Sequence, residues 1–268
     1  MKRMDIGNLA ISASAGSGKT FQLAHRYIQL LALGAAPDKL IAMTFTRKAA
    51  QEMKERLAAS AGNSAVPQAE TLHALAFDYW QKVHNEAPLI ISEEEGKKMF
   101  SGANPDLKGT QLRSQWAKYC LAREKGEPAG EYGDKFAGVK QNRNLVEYSD
   151  LLEFWLQELL SGNFIRPFTH VLVDEIQDLS PLQLEVIRNL VSRNGDGFFG
   201  IGDPRQSIYS FRGAQKDVRA YLRDIWPDLH VVGLDKNYRS DARILEYSAA
   251  LFPEDAPLQA TVEHAGGI

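Results

Sequence analysis

The sequence predicts an α/β fold, a parallel sheet flanked by helices, and two observations support this prediction. Short apolar runs alternate with segments whose apolar residues recur at helical spacing, which is typical of strands joined by amphipathic helices. Two of the apolar runs also end in distinctive turns, one rich in glycine and one acidic. A chain of 268 residues, 44% hydrophobic and 24% charged, has an ordinary globular composition, with room for one large domain or two small ones.

Each predicted element follows from its apolar spacing and from the residues at its ends. In chain order these are the strand Leu9–Ser12, the helix Phe21–Leu33, the strand Leu40–Phe45, the helices Arg47–Leu57, Leu72–Val83 and Leu151–Leu160, the strand His170–Val173, the helix from Pro181 to Val191, the strands Phe198–Ile201 and Val231–Leu234, and the helix Asp241–Leu251. Gly34 ends the first helix, and Ser149 is the predicted N-cap of the fourth. Ser180 and Pro181 have the residue types of a helix cap and a first-turn proline.

The middle of the chain differs from the rest. From about Asn85 to Val146 there is no clear strand, glycine and proline are scattered, and charges are dense. We therefore predict one α/β domain formed by residues 1–84 and 147–252, with a mostly helical subdomain, residues 85–146, inserted into it. Residues 253–268 are polar and without a pattern, which predicts a tail or the start of a further domain.

Composition excludes several classes of protein. Cys120 is the single cysteine, so the sequence offers neither an internal disulfide nor a cysteine-ligated zinc site. A formal net charge of −3 argues against coating nucleic acid through bulk charge, although a local basic groove stays open. No apolar run reaches the roughly 18 residues of a membrane span, and the N-terminus lacks the apolar core of a signal peptide. We expect a soluble, cytoplasmic protein without membrane contact.

A phosphate-binding loop is predicted by the segment ASAGSGKT, which lies between a predicted strand and a predicted helix. Its residues are Ala13, Ser14, Ala15, Gly16, Ser17, Gly18, Lys19 and Thr20. The glycines let the backbone wrap closely around phosphates, while amides and the helix N-terminus face the anion. Lys19 would reach the β- and γ-phosphates, and Thr20 would offer its hydroxyl to Mg²⁺. Ala13 replaces the first glycine of the general pattern, and the alternative is a Gly/Ser turn that caps a helix.

A second element strengthens the nucleotide interpretation. The apolar run before Asp174 and Glu175 predicts a strand that ends in two carboxylates. In a nucleotide motor the first acid orients Mg²⁺ and the second acts as general base toward the attacking water. Both must lie at the carboxyl end of a strand, since that end faces the phosphate loop. The alternative is a solvated acidic turn, but the two motifs together predict ATP or another nucleoside triphosphate.

Six segments in order resemble a known family. They are ASAGSGKT, MTFTRKAAQEMKERL from Met43, TLHALAF from Thr71, LVDEIQDLSPLQ from Leu172, GIGDPRQSIYSFRGA from Gly200 and LDKNYRS from Leu234. In this order and spacing the chain resembles the UvrD/Rep-like superfamily 1 DNA helicases, including relatives such as RecB and AddA, from Leu9 to about Phe252. The resemblance implies a RecA-like P-loop domain and an ATP-dependent DNA helicase that uses ATP and Mg²⁺.

The resemblance also implies roles for residues at matching positions. Lys19 and Thr20 match the phosphate and magnesium residues, and Asp174 and Glu175 match the magnesium ligand and the catalytic base. Gln206 matches a sensor of the γ-phosphate, and Arg239 an arginine finger. The implied contacts to single-stranded DNA are Thr44, Phe45, Thr46, Arg47, Thr71, His73, Tyr209, Phe211 and Arg212. Gln177 and Asp178 either cap the helix near Pro181 or, by resemblance, lie near the machinery that couples DNA contact to nucleotide state.

The residue chemistry between Arg205 and Arg243 agrees with a strand-tracking surface. Cations outnumber acids there and are interleaved with aromatic residues, the combination that binds phosphates and stacks on bases. Tyr221 and Trp226 are better interpreted as packing residues. Tyr209 and Phe211 alternate with polar neighbours, which favours a functional role. For the charges of the insertion, a solvated face and a DNA contact stay equally open.

Two departures from the family limit the interpretation. No glutamine precedes the phosphate loop, where many members carry one that selects adenine, and no later family motif follows Ser240. The leading prediction is therefore the N-terminal motor half of a helicase or translocase for DNA repair or recombination, its second RecA-like domain supplied in cis or in trans. We then expect little in this chain to hold Arg239 over the γ-phosphate. The alternatives are a nucleotide-dependent DNA-binding or regulatory module that never unwinds, and a non-hydrolysing relative, against which Lys19 and Glu175 argue.

Overall fold

The computed structural model describes residues 8–61, 67–162, 167–191, 197–207, 218–251 and 258–262. The strands are β1 (Leu9–Ala13), β2 (Leu40–Met43), β3 (Ala69–Glu70), β4 (Leu89–Ile90), β5 (Leu145–Val146), β6 (His170–Val173), β7 (Phe198–Gly202), β8 (His230–Leu234), β9 (Lys236–Asn237) and β10 (Gln259–Ala260). The helices are α1 (Lys19–Ala32), α2 (Arg47–Ala61), α3 (Leu72–His84), α4 (Glu93–Ala103), α5 (Gly109–Lys125), α6 (Gly130–Asn142), α7 (Tyr148–Ser161), α8 (Pro181–Leu190), α9 (Val218–Ile225) and α10 (Ala242–Leu251).

Six strands form one sheet in the order β3-β2-β6-β7-β1-β8. Every neighbouring pair in it is parallel, with Leu9 of β1 paired to Phe199 on one side and to His230 on the other. The predicted α/β fold is therefore confirmed. Since all strands run the same way, all of their carboxyl ends lie along one edge of the sheet.

Both faces of the sheet are covered, which explains why its strands read as continuous apolar runs. Along β2, Ile41 and Met43 join a cluster with residues of α3, α7, α8 and α9. Leu40 and Ala42, which alternate with them, join a second cluster with residues of α1 and α2. This period of two is the pleat of the strand, and it places one helical layer on each face.

The insertion has a hydrophobic cluster of its own. Phe100, Trp116, Tyr119 and Phe136 pack together at the centre of α4, α5 and α6, apart from the clusters on the sheet. The prediction that this segment lacks strands was wrong, because Leu89–Ile90 pairs in parallel with Leu145–Val146. Two-residue strands leave no apolar run to recognise. The boundaries proposed at 84/85 and 146/147 stay a prediction.

A network of buried charges joins the insertion to α7. Lys140 of α6, 4% exposed, lies 2.7 Å from Glu147 and 2.5 Å from Asp150. Arg123 of α5 lies 2.5 Å from both Asp150 and Glu153, and the Tyr119 hydroxyl donates to Glu147. Three carboxylates at the start of α7 thus hold two cations from two helices of the insertion.

Several predicted element ends were wrong. Helix α7 begins at Tyr148 with Glu147 as its N-cap, so Ser149 lies inside the helix, where the Glu147 and Asp150 side chains form the capping box instead. Strand β2 ends at Met43 rather than Phe45, and Gln259–Ala260 of the predicted tail pairs with β9. By contrast, Ser180 caps α8 and Pro181 opens it, as predicted. Among the residues that the structure describes, no helix is long and apolar enough to cross a bilayer.

Candidate nucleotide site and neighbouring loops

The carboxyl edge of the sheet collects nearly all of the described residues that the sequence singled out. In sheet order, β3 leads to Thr71 and His73, β2 to the segment from Thr44 to Arg47, β6 to Asp174 and Glu175, β7 to Gln206, β1 to the phosphate loop, and β8 to Arg239. The predicted nucleotide residues follow four adjacent strands. The described residues predicted to bind DNA follow the two strands beyond them.

The loop between β1 and α1 has the backbone shape of an anion cradle. Gly16 and Gly18 have φ angles of 81° and 83°, in the left-handed region that glycine tolerates. The Ser17 hydroxyl donates to the Ser14 carbonyl at 2.6 Å, which tightens the turn. Gly18 is the N-cap of α1, and within the described chain no side chain caps this helix and no acid lies in its first turn. The N-terminal amides of α1 are therefore left for an anion.

Lys19 lies next to the acids at the end of β6. Its Nζ is 3.1 Å from Glu175 Oε2 and 3.4 Å from Gln206 Oε1, and its side chain is 11% exposed. Glu175 has a φ of 50°, unusual for a residue other than glycine, and this strained backbone turns the chain sharply after β6. Lys19 thus joins the phosphate loop to Glu175 and to Gln206.

The acids carry more negative charge than Lys19 neutralises. Burial and the neighbouring Glu175 charge raise the pKa of Asp174 to about 6. The same two causes raise the pKa of Asp178 to about 6, and its Oδ1 is buried without a hydrogen-bond partner among the described residues. A divalent cation would relieve this excess, so the site suits Mg²⁺. No group of three or more His, Cys, Asp or Glu in the described part of the chain could hold a metal by itself, and phosphate oxygens would complete the ligands.

The segment after β8 is attached to the phosphate loop. Asn237, 2% exposed, donates from Nδ2 to the Ala15 carbonyl at 2.7 Å, and the Tyr238 amide donates to the Gly16 carbonyl at 2.8 Å. Asn237 Oδ1 accepts from the Arg239 amide at 2.9 Å, and a Cβ built on Gly16 would lie 2.7 Å from Arg239 Cβ. The backbone of Arg239 is therefore held beside the phosphate loop while the residue is exposed, and the expectation that little in this chain holds it over the γ-phosphate stays a prediction.

The residues after β2 and β3 have mixed surroundings. Thr46 caps α2 by accepting from the Ala49 amide at 3.1 Å, and Thr71 caps α3 by accepting from Ala74 at 3.2 Å. Thr44 is buried, whereas Phe45 is 40% exposed and Arg47 is exposed. Capping therefore accounts for the hydroxyls of Thr46 and Thr71, and Phe45 and Arg47 are exposed residues of this set without a capping role.

His73 lies in the first turn of α3. Its ring meets that of Tyr148 edge to face, with centroids 5.2 Å apart. Burial lowers the pKa of His73 below its ordinary value, so it would contact DNA as a neutral imidazole. Tyr209, Phe211 and Arg212 lie outside the described residues.

Sequence reasoning left Asp203 and Asn237 out of the site. Asp203 Oδ2 accepts from Gln206 Nε2 at 3.0 Å, and Asn237 attaches β9 to the phosphate loop. Both lie inside quoted motifs, in GDPRQ and LDKNYRS, which was the available signal. Gln177 is not a cap for α8, since Ser180 has that role. Trp226 stacks on Phe198 at 4.0 Å within the core, as predicted.

Known proteins resemble this chain over most of its length. DNA helicase II of Escherichia coli (strain K12) is 32% identical over 277 residues, covering 91% of this chain and 38% of the relative. DNA helicase IV of the same strain is 28% identical over 301 residues, covering 89% and 44%. ATP-dependent DNA helicase PcrA of Leuconostoc citreum is 28% identical over 280 residues, covering 91% and 37%. The chain thus spans well under half the length of these relatives.

A family profile matches the chain in two overlapping parts. The profile of the UvrD/REP helicase N-terminal domain matches residues 3–106 and 97–224. The first part contains the phosphate loop, and the second contains the acidic pair and Gln206. Sheet topology, site geometry and family profile agree, and the chain belongs to the UvrD/Rep helicase family, matching its N-terminal domain.

Proposed function

We propose that this chain is the ATP-binding first motor domain of a DNA helicase or translocase that acts on single-stranded DNA in repair or recombination. The observation that carries the proposal is the contact of Lys19 with both Glu175 and Gln206 beside an uncapped helix N-terminus. A phosphate cradle, a candidate base and a candidate sensor are thereby joined in one site.

The residues of the site divide the work of nucleotide binding and hydrolysis. The loop amides and Lys19 bind the phosphates, and Asp174 and the Thr20 hydroxyl hold Mg²⁺. Bound Mg²⁺ neutralises charge on the phosphates. Glu175 lies next to Lys19 and takes the proton of the attacking water. Arg239, held at its backbone beside Gly16, supplies positive charge when its side chain turns toward the phosphates.

DNA binding is assigned to the loops after β2 and β3 and, by resemblance alone, to Tyr209, Phe211 and Arg212, which lie outside the described residues. The exposed Phe45 ring offers a stacking face, and Arg47 beside it offers a cation for the backbone. The loops after β3 and β2 adjoin the acidic loop after β6, so a strand bound there lies next to the nucleotide site.

A second candidate function is a nucleotide-dependent DNA-binding module without unwinding activity. The exposure of Arg239 favours it, because an arginine finger must be held against the transferring phosphate to accelerate hydrolysis. Adding a partner domain, in cis or in trans, distinguishes the two functions. A motor domain should gain unwinding activity when the partner completes its site, whereas a DNA-binding module should not.

Nucleotide binding is the first test, by calorimetry with ATP and Mg²⁺. Lys19→Ala should abolish binding, while Glu175→Gln should keep binding and stop any turnover. Lys39→Ala is the matched control, because Lys39 precedes β2 at the opposite edge of the sheet. Unchanged affinity in Lys19→Ala would refute the proposed nucleotide site.

A further inference from the structure

A closed ring of hydrogen bonds links five residues of the site. Lys19 Nζ contacts Glu175 Oε2 at 3.1 Å, and Gln177 Nε2 donates to the same oxygen at 2.9 Å. The Asp203 amide donates to Gln177 Oε1 at 3.0 Å, and Gln206 Nε2 donates to Asp203 Oδ2 at 3.0 Å. Lys19 closes the ring through Gln206 Oε1 at 3.4 Å. The ring therefore connects the loops that follow β1, β6 and β7.

Gln177 is the bridge across this ring. It is 2% exposed, and its amide fits in one orientation only, because Nε2 faces the carboxylates of Glu175 and Asp178 while Oε1 faces a backbone N–H. A Cβ on Gly202 would lie 2.3 Å from Gln177 Oε1, so β7 makes room for this amide by lacking a side chain there.

We propose that Gln177 is a positioning residue for Glu175, and that the ring is closed in the nucleotide-free state and opened when phosphate takes Lys19. The proposal rests on the proposed nucleotide site. Gln177 ties the Glu175 carboxylate to the loop after β7 and makes no contact with Lys19 that the structure describes. When Lys19 turns to a phosphate, Glu175 and Gln206 both lose their contact with its ammonium group. The hydrogen bonds of Gln177 still hold the Glu175 carboxylate in a fixed position relative to Asp203.

The ring also reaches the segment that follows β7. The Ser207 hydroxyl donates to the Gln177 carbonyl at 3.2 Å, one residue before a stretch that contains three predicted DNA contacts. Gln177 thus bonds to Glu175 through its side chain and to this segment through its backbone.

A double-mutant cycle tests the ring without any turnover. Urea unfolding is measured for the wild type, Lys19→Met, Gln177→Met and the double variant. Substitutions within one hydrogen-bond network are not independent of each other. The effect of the double variant on the unfolding equilibrium constant should therefore differ at least threefold from the product of the two single effects. The control cycle pairs Lys19→Met with Gln183→Met, another buried glutamine whose amide caps α8, and should multiply to within about twofold. If the effects of Lys19→Met and Gln177→Met on the unfolding constant also multiply to within twofold, the proposal is overturned.

A binding measurement separates positioning from nucleotide contact. The affinity of Gln177→Met for Mg²⁺ and a non-hydrolysable ATP analogue should weaken no more than twofold, since Gln177 does not reach the phosphate loop. A greater loss overturns the positioning role. If Gln177→Met fails to fold, Gly202→Ala, which displaces the same amide, replaces it in both measurements. If the wild type does not bind the analogue, the proposed function fails, while the unfolding cycle still decides whether the ring exists.

Discussion

The ionised Asp178 carboxylate destabilises the folded protein by an amount that depends on pH. Its pKa in the folded protein is raised to about 6 by burial and by Glu175, above the ordinary value of 3.8. The folded state therefore binds the proton more tightly than the unfolded state, and stability falls as pH rises between these two values. Above the folded pKa this loss is complete and persists.

Asp178→Asn should remove this loss. We expect a higher melting temperature than the wild type at pH 8 and little difference near pH 4, measured by calorimetric scans across that range. Asp228→Asn, in an exposed turn, serves as the control and should change neither. Equal melting temperatures of Asp178→Asn and the wild type at pH 8 would show that burial and the Glu175 charge do not destabilise the ionised carboxylate.

Phe45 provides the residue-scale test of DNA binding. Phe45→Ala should weaken binding of single-stranded DNA by about 1–3 kcal/mol, the contribution of one stacked base. Tyr209→Ala and Phe211→Ala should do the same, and affinity should fall as salt rises, because bound phosphates release counterions. Fluorescence anisotropy measures all of these. The control is Tyr247→Ala, which removes an exposed aromatic ring on α10. An equal loss of DNA affinity in this variant would show that Phe45 has no specific role.

Individual site residues were predictable where a motif fixes both residue type and place. Lys19, Glu175 and Gln206 came from separate segments, and their mutual contact follows once the strands are parallel. Asp203 and Asn237 were missed because their contribution is a hydrogen bond to a distant loop, which no spacing in the chain reveals. Capping was misjudged at Ser149 because Glu147 and Asp150 compete for the same amides.

At the scale of elements, the buried charges between the insertion and α7 set how the two are joined. Lys140→Met should lower the free energy of unfolding by about 3–5 kcal/mol, since it leaves the partly buried Glu147 without its cation and Asp150 with Arg123 alone. Urea denaturation measures the loss. Lys135→Met, which removes an exposed ion pair on the same helix, should leave the unfolding midpoint nearly unchanged. A similarly small effect at Lys140 would mean that the joint depends on apolar packing instead.

Elements with long apolar runs were predictable and short ones were not. The five predicted strands all exist, and four of them, β1, β2, β6 and β7, are mostly buried, which demands continuous apolar residues. The edge strand β8 is more exposed but has an apolar run as well. β3, β4, β5, β9 and β10 have two residues each and are defined by their partners rather than by composition. The helices of the insertion were predicted only as a class, since their charges conceal the spacing of Phe100, Trp116 and Phe136.

For the whole molecule, we predict that this chain alone will not unwind duplex DNA and will hydrolyse ATP poorly. An arginine finger contributes about 10³–10⁵ in rate when it is held against the transferring phosphate, and Arg239 is an exposed residue. Translocation also needs two binding sites for the DNA strand whose affinities alternate with nucleotide state, and one motor domain provides one such site. A strand-displacement assay with the purified chain measures this, and ATP-dependent unwinding by it would refute the half-motor interpretation.

The pairing of β1 with two strands from the far end of the chain has a consequence for how the protein folds. Leu9 pairs with Phe199 and His230, so its partners are synthesised about 190 and 220 residues after it. During translation the first strand leaves the ribosome long before either neighbour exists, and its unpaired edges stay exposed to other chains. Folding should therefore be slow and should compete with aggregation, so that chaperone supply and growth temperature, more than any single side chain, control the yield of native protein.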